Sequence, residues 1–148
     1  MNEQRRQAYL DSAILESDPV KLIQILYRAA LDAAGQARRH LAAGEIMARS
    51  RQLGKAGAIL NELALSLNHQ SGGSLSRNLV ELYDYMQRLL QKANFEQVEA
   101  PLVELEGLLR TLLAAWEQVD PSEPRIPEHA VAHQGREASQ QASFSYSL

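Results

Sequence analysis

Large apolar residues recur along most of this chain at alternating steps of three and four, the spacing that lines one face of an α-helix. Between Gly72 and Asn94 they fall at Leu75, Leu79, Leu82, Met86 and Leu89, with a second row, Val80, Tyr83 and Leu90, running beside them. The same steps appear earlier at Leu53, Ala56, Leu60, Leu63 and Leu67, and later at Leu102, Leu105, Leu109, Leu112 and Trp116. A first stripe, Ile23, Leu26, Ala30, Ala33 and Ala37, runs toward Leu41. Punctuation separates the stripes. Asp18-Pro19 is a helix start, because Asp caps a free backbone N–H and Pro at the first helical position loses no hydrogen bond. Gly44 is a stop. The second helix is expected from about Glu45 to Asn68, and Asn68 to Gly73 is a turn by composition. Asn94 is expected to end the third helix, and Pro101 to open the fourth.

Four helices of roughly 18 to 24 residues are about 27 to 36 Å long. Short links between them favour antiparallel neighbours, so the expected fold is all-α, an up-down four-helix bundle over residues 18–119. Arg38, Arg39, Arg49, Arg51 and Lys55 cluster around the first link, and Glu96, Glu99, Glu104 and Glu106 around the third. In an up-down bundle those links share one end, which allows either attraction between them or two separately solvated ends. Residues 1–17 form a separate segment, in which Tyr9, Leu10, Ala13 and Ile14 line one side of a short helix that must dock to persist. Residues 120–148 carry Pro121, Pro124 and Pro127, then Ser, Gln, Ala and His without period, and are expected to be a disordered tail.

Composition narrows the chemistry. Hydrophobic residues make up 45% of the 148 and aromatic residues only 5%, which favours Leu/Ala helix packing over an aromatic β core. A net charge of -3 does not point to nucleic acid or to an anionic membrane. The absence of cysteine removes disulfides, thiolate metal sites and cysteine nucleophiles, and fits a reducing compartment. The first ten residues lack a signal-peptide core, and no apolar run approaches membrane-spanning length, so a cytoplasmic protein is expected. His40 and His69 lie at helix ends, His129 and His133 in the tail, and no Glu-x-x-His pair provides a carboxylate-bridged metal site. Neither helical histidine sits in mid-helix, as a phosphotransfer bundle requires. Gly72-Gly73 lacks the Lys-Ser/Thr of a phosphate loop. No catalytic residue, metal or cofactor is expected, and the protein is read as a binding protein, not an enzyme.

What remains is surface. Ile59 and Leu65 on the second helix and Val80, Tyr83 and Leu90 on the third lie outside the seam, as do Ala58, Val103, Leu108 and Leu113. Two readings fit them: a widened core face, or an apolar groove that receives an amphipathic helix. Gly57 and Gly107 fall inside helices, where each costs about 1 kcal/mol relative to Ala; close approach of a neighbouring helix, or else of another chain, accounts for them. Trp116 continues a seam and reads as a core anchor.

The ordered set Lys55-Ala56, Ile59-Leu60, Leu67, Gly72-Gly73, Asn78-Leu79, Leu82-Tyr83-Asp84-Tyr85-Met86, Leu89 and Ala93-Asn94 resembles the flagellar secretion chaperone FliS family. Tyr9, Asp18-Pro19, Leu22-Ile23, Leu26-Tyr27 and Ala115-Trp116 are similar to it as well, so the likeness covers residues 9 to about 118. Arg28-Ala29 departs from the Asp-Gly usual in the family, and the tail lies outside its pattern. The resemblance implies a cytoplasmic chaperone that holds the disordered C-terminal segment of flagellin, with the flagellar export apparatus as a further partner and no membrane insertion. Within that reading the apolar residues beside the seams, Ile59, Leu65, Val80, Tyr83 and Leu90, are the expected partner contacts. By the same analogy Tyr9, with Leu10 and Ile14, is either a displaceable lid or part of a fixed N-terminal helix. The alternative function is a structural or regulatory bundle whose second row is buried in a homodimer.

Overall fold

The structure, a computed structural model, describes residues 3–5, 18–67 and 69–119. Among the described residues four long helices carry the chain: α1 (Pro19–Ala43), α2 (Ile46–Leu65), α3 (His69–Glu96) and α4 (Ala100–Glu117). Residues 3–5 are helical as well. Tyr9, Leu10 and Ile14 of the expected lid, and the expected tail 120–148, lie outside the described residues.

Local chemistry explains the boundaries. Asp18 leaves the helical region, and its Oδ1 accepts the Lys21 backbone N–H at 3.0 Å, capping α1. At the other end Gly44 takes φ 73°, its N–H reaches Leu41 O, and the Glu45 N–H reaches His40 O. That is a Schellman stop, which glycine adopts at least steric cost. Helix α2 ends three residues short of the expected Asn68. There the Ser66 hydroxyl donates to Leu63 O at 2.7 Å, a local bond that competes with continuing the helix. Of the expected turn from Asn68 to Gly73, Asn68 lies outside the described residues and 69–72 are helical instead. His69 opens α3, and the departure from helical geometry is confined to Gly73, at φ 54° and ψ -127°. Asn94 does not end α3, which runs on to Glu96 and stops at Gln97, a non-glycine residue at φ 56°.

The helices close into a ring. α1 packs on α2 and α4, and α3 packs on the same two, so α1 and α3 face each other across the diagonal. Cross-links along the α1/α4 edge run in opposite directions, Arg28 to Glu117 and Arg38 to Glu106, as antiparallel packing requires. From α1, Ala30, Ala33, Ala34 and Ala37 are fully buried, short side chains that let a neighbouring backbone come close. Leu60 and Leu63 of α2, Leu79, Leu82 and Met86 of α3, and Leu102, Leu105, Leu109 and Leu112 of α4 fill the centre. Each contributes on the order of 1.5–3 kcal/mol by burial. Trp116 is buried in this cluster, as its place in the seam predicts.

The two charged links do meet. Arg38 sends Nε and Nη2 to Glu99 (3.0 and 2.5 Å) and Nη1 to Glu106 (2.9 Å), tying α1 to the α3–α4 link and to α4. Glu106, only 3% exposed, also accepts from Arg110 at 3.1 Å, so its buried charge has two cationic partners. Arg49 behaves otherwise, reaching the amide of Asn94 rather than a carboxylate.

Candidate partner-binding groove

Two clamps, neither using a carboxylate, set how α2 lies on α3. The Gln87 Nε2 donates to Gly57 O at 2.9 Å and to Asn61 Oδ1 at 3.3 Å. Seven residues on, Asn94 Oδ1 accepts from Arg49 Nε at 3.1 Å and from the Ser50 hydroxyl at 3.3 Å. Residue 57 therefore lies opposite 87, and residue 50 opposite 94. Carrying that register along the pair brings Leu65 to the level of Leu79 and Val80. Val80 precedes Gln87 by two turns on the stripe of α3 that faces α2, and Leu65 follows Asn61 by one turn on α2. Leu65 is 78% exposed and Val80 is half-buried. These two residues lie at one end of the groove that two packed helices leave along their shared edge, here α2/α3.

Gly57 sits in the floor of that groove. A Cβ there would meet Gln87 Oε1 at 3.1 Å and Leu90 Cδ1 at 3.8 Å, so the glycine serves the approach of the neighbouring helix, as expected. Gly107 does not: nothing lies within 4 Å of a Cβ at that position, on the outer face of α4. At the far end of the groove Met47 is 76% exposed and Phe95 is 89% exposed. Sequence reasoning missed both, since neither continues a three-four stripe.

The expected surface row divides. Tyr83 and Leu90 are 3% and 4% exposed, so both belong to the core, and their assignment to the surface is corrected. The physical reason is visible in a second regular stripe, Ser76, Leu79, Tyr83, Met86, Leu90 and Ala93, all buried. Because α3 faces α2, α4 and the diagonal, it buries both rows. Ile59 is half-buried and lies about 200° around α2 from Gly57, on the flank toward α1 rather than in this groove. On α4, Leu108 and Leu113 pack against the core, while Val103 is exposed.

Beneath the groove the Tyr83 hydroxyl meets that of Tyr27 at 2.6 Å, joining α3 to α1 across the diagonal. The Trp116 side chain also hydrogen-bonds Tyr27. Burial pushes the Tyr27 hydroxyl up to about 12, with its bonds to Tyr83 and Trp116 opposing the rise. Burial likewise holds Tyr83 well above the ordinary tyrosine range, and the neighbouring Tyr27 adds to this. Tyr85 is different: it lies on the α3/α4 edge and donates to Glu104, with Arg88 5.8 Å from its ring centre.

The edges of the bundle thus differ in kind. Ion pairs cross the α1/α4 edge and a tyrosine–carboxylate bond crosses α3/α4, whereas side-chain amide and backbone carbonyl acceptors hold α2 to α3. Among the described residues no group of three or more His, Asp or Glu is placed to hold a metal, and no helix is long and apolar enough to cross a membrane.

Comparison with known proteins agrees with this architecture. Residues 1–123 match the model of the family described as flagellar protein FliS. The chain belongs to the FliS family. A flagellar secretion chaperone FliS of Salmonella typhimurium is 38% identical over 116 residues, covering 78% of this chain and 86% of the relative. Those of Vibrio cholerae and Bacillus subtilis are each 30% identical, over 119 and 116 residues, covering 78% of this chain and 88% and 86% of theirs. These relatives are flagellar secretion chaperones, and a FliS-family bundle is what the sequence led us to expect.

Proposed function

We propose that this FliS-family chain is a cytoplasmic export chaperone that binds the C-terminal segment of flagellin. It keeps the subunit from polymerising early and competent for flagellar type III secretion. The observation that carries this reading is the α2/α3 groove on a bundle of this family, open at Leu65 and Val80 and bridged without carboxylates. An amphipathic segment laid there covers apolar surface on both partners, and folds as it does so. Leu65 and Val80 are the contacts proposed for it, with Met47 and Phe95 at the far end. Ile59 contributes where the client continues over the α1/α2 flank. Tyr83 and Leu90 act from below, by holding the floor. Tyr9, with Leu10 and Ile14, is proposed as a segment the client displaces.

The test is co-purification with flagellin, repeated with flagellin lacking its C-terminal segment. Capture of the intact subunit and loss of the truncated one supports the reading. Leu65→Asp and Val80→Asp should each weaken binding at least tenfold while helicity and melting stay near those of the parent. Light scattering separates the homodimer alternative, which predicts a stable dimer that excludes flagellin.

A further inference from the structure

The family match stops at residue 123, and the 25 residues from 124 to 148 lie beyond it. They include Phe144-Ser145-Tyr146-Ser147-Leu148, three large apolar residues alternating with serine. In extended geometry this alternation sets Phe144, Tyr146 and Leu148 on one side at intervals of about 6.6 Å, with the serines on the other. The chain leaves α4 near Val119, and in an antiparallel ring that is the end where α2 stops and α3 begins. Leu65 and Val80 lie at the same end. The 24 residues between Val119 and Phe144 span up to about 80 Å, roughly twice the 42 Å of α3. Reach does not limit the segment.

We propose that Phe144–Leu148 docks in cis on the Leu65/Val80 end of the α2/α3 groove and competes there with the client polypeptide. The competition rests on that groove being the client site; the docking does not. A tether of this length supplies an effective concentration on the order of millimolar. A segment with three apolar side chains and millimolar intrinsic affinity is then docked in about half to nine-tenths of molecules, which lowers apparent client affinity about 2- to 10-fold.

The experiment uses the full chain with Phe144→Ser, Tyr146→Ser and Leu148→Ser combined, which leaves the bundle sequence untouched. Methyl NMR of the free protein should show the Leu65 and Val80 signals shifted between parent and variant, with Met47 at the far end of the groove unchanged. The variant should bind a synthetic peptide of flagellin's C-terminal segment about 2- to 10-fold more tightly. Unchanged Leu65 and Val80 signals, or a change confined to Met47, overturns the docking. If the two signals move when Tyr9→Ser and Leu10→Ser are introduced but not in the tail variant, the occupant is the N-terminal segment and the inference is wrong. Shifted methyls with unchanged peptide affinity keep the docking and overturn the groove as the client site.

Discussion

Replacing Tyr83 by Phe removes one hydroxyl from the diagonal of the bundle and nothing else. In the structure that hydroxyl lies 2.6 Å from the Tyr27 hydroxyl, and both side chains are buried. The loss leaves the Tyr27 O–H proton without an acceptor, because the Trp116 side chain can only donate to the Tyr27 oxygen, in a place water does not reach. An unsatisfied buried hydroxyl costs about 1–3 kcal/mol, so Tyr83→Phe and Tyr27→Phe should each destabilise by that amount. The double variant should cost less than the sum of the two, by a coupling on the order of 1–2 kcal/mol. Urea unfolding measures it: with a slope of about 2 kcal/mol/M, each single variant should move the midpoint down by roughly 0.5–1.5 M.

The same pair predicts a pH effect of definite sign. Both hydroxyls titrate higher in the folded chain than when unfolded, near 10. Above that value the unfolded state loses protons that the native state keeps. The stabilisation is therefore complete below pH 10 and is lost as pH rises toward the Tyr27 value of about 12. Each buried tyrosine contributes a fall of up to about 1.4 kcal/mol per pH unit in this window. The Tyr27→Phe/Tyr83→Phe variant should lose that part of the slope, with the titration of Tyr85 and the lysines common to both proteins. Additive single variants below about 0.5 kcal/mol, together with parallel alkaline profiles, would refute the buried pair.

Three further outcomes follow from packing. Leu90→Ala should cost about 2–5 kcal/mol as a core truncation, whereas Leu65→Ala should stay within about 0.5 kcal/mol; thermal or urea unfolding compares them. Gly54→Ala, with nothing within 4 Å of the added carbon, should stabilise α2 by up to about 1 kcal/mol. Gly57→Ala should gain less, because Gln87 must give way and its bond to Gly57 O is disturbed; the difference in melting temperature reports this. Gln97→Gly should raise stability by about 0.5–1 kcal/mol by relieving the left-handed backbone at the end of α3, measured in the same melts.

The helices were legible because each carries a three-four stripe, and a stripe survives any choice of neighbour. The caps at Asp18 and Gly44 were legible for the same reason: their chemistry is local. Tyr83 was not. Leu79 and Met86 belong equally to a stripe through Leu82 and Leu89 and to one through Tyr83 and Leu90. Only the ring arrangement, which sets α3 opposite α1, reveals that both are inside. Val80 lies 100° from Leu79 in the direction of α2, just past the buried arc. The pattern marks it as apolar but not as the edge of a groove. Ser66 ended α2 early through a bond to Leu63 O that competes with the apolar period, and the same period let Asn94 be taken for a stop. Its side chain instead receives Arg49 and Ser50, a use that depends on a helix 44 residues away.

That use of Asn94 bears on where a polypeptide is able to bind. Opening the α1/α4 edge would strip Arg38 from Glu106, whose carboxylate is 3% exposed, and a buried charge left with fewer partners is costly. The α2/α3 edge strands no carboxylate, and its one buried charge, Arg49 at 5% exposed, loses only the acceptors of Asn94. Its clamps run from Gln87 to a backbone carbonyl and an amide, and from Arg49 and Ser50 to an amide, so no carboxylate is left without a cation if one yields. An incoming chain with its own amide groups can replace those bonds one for one, while its apolar side chains cover Leu65, Val80, Met47 and Phe95. Both edges are antiparallel but differ in electrostatics, and that difference supports the proposal that a client occupies α2/α3 rather than α1/α4.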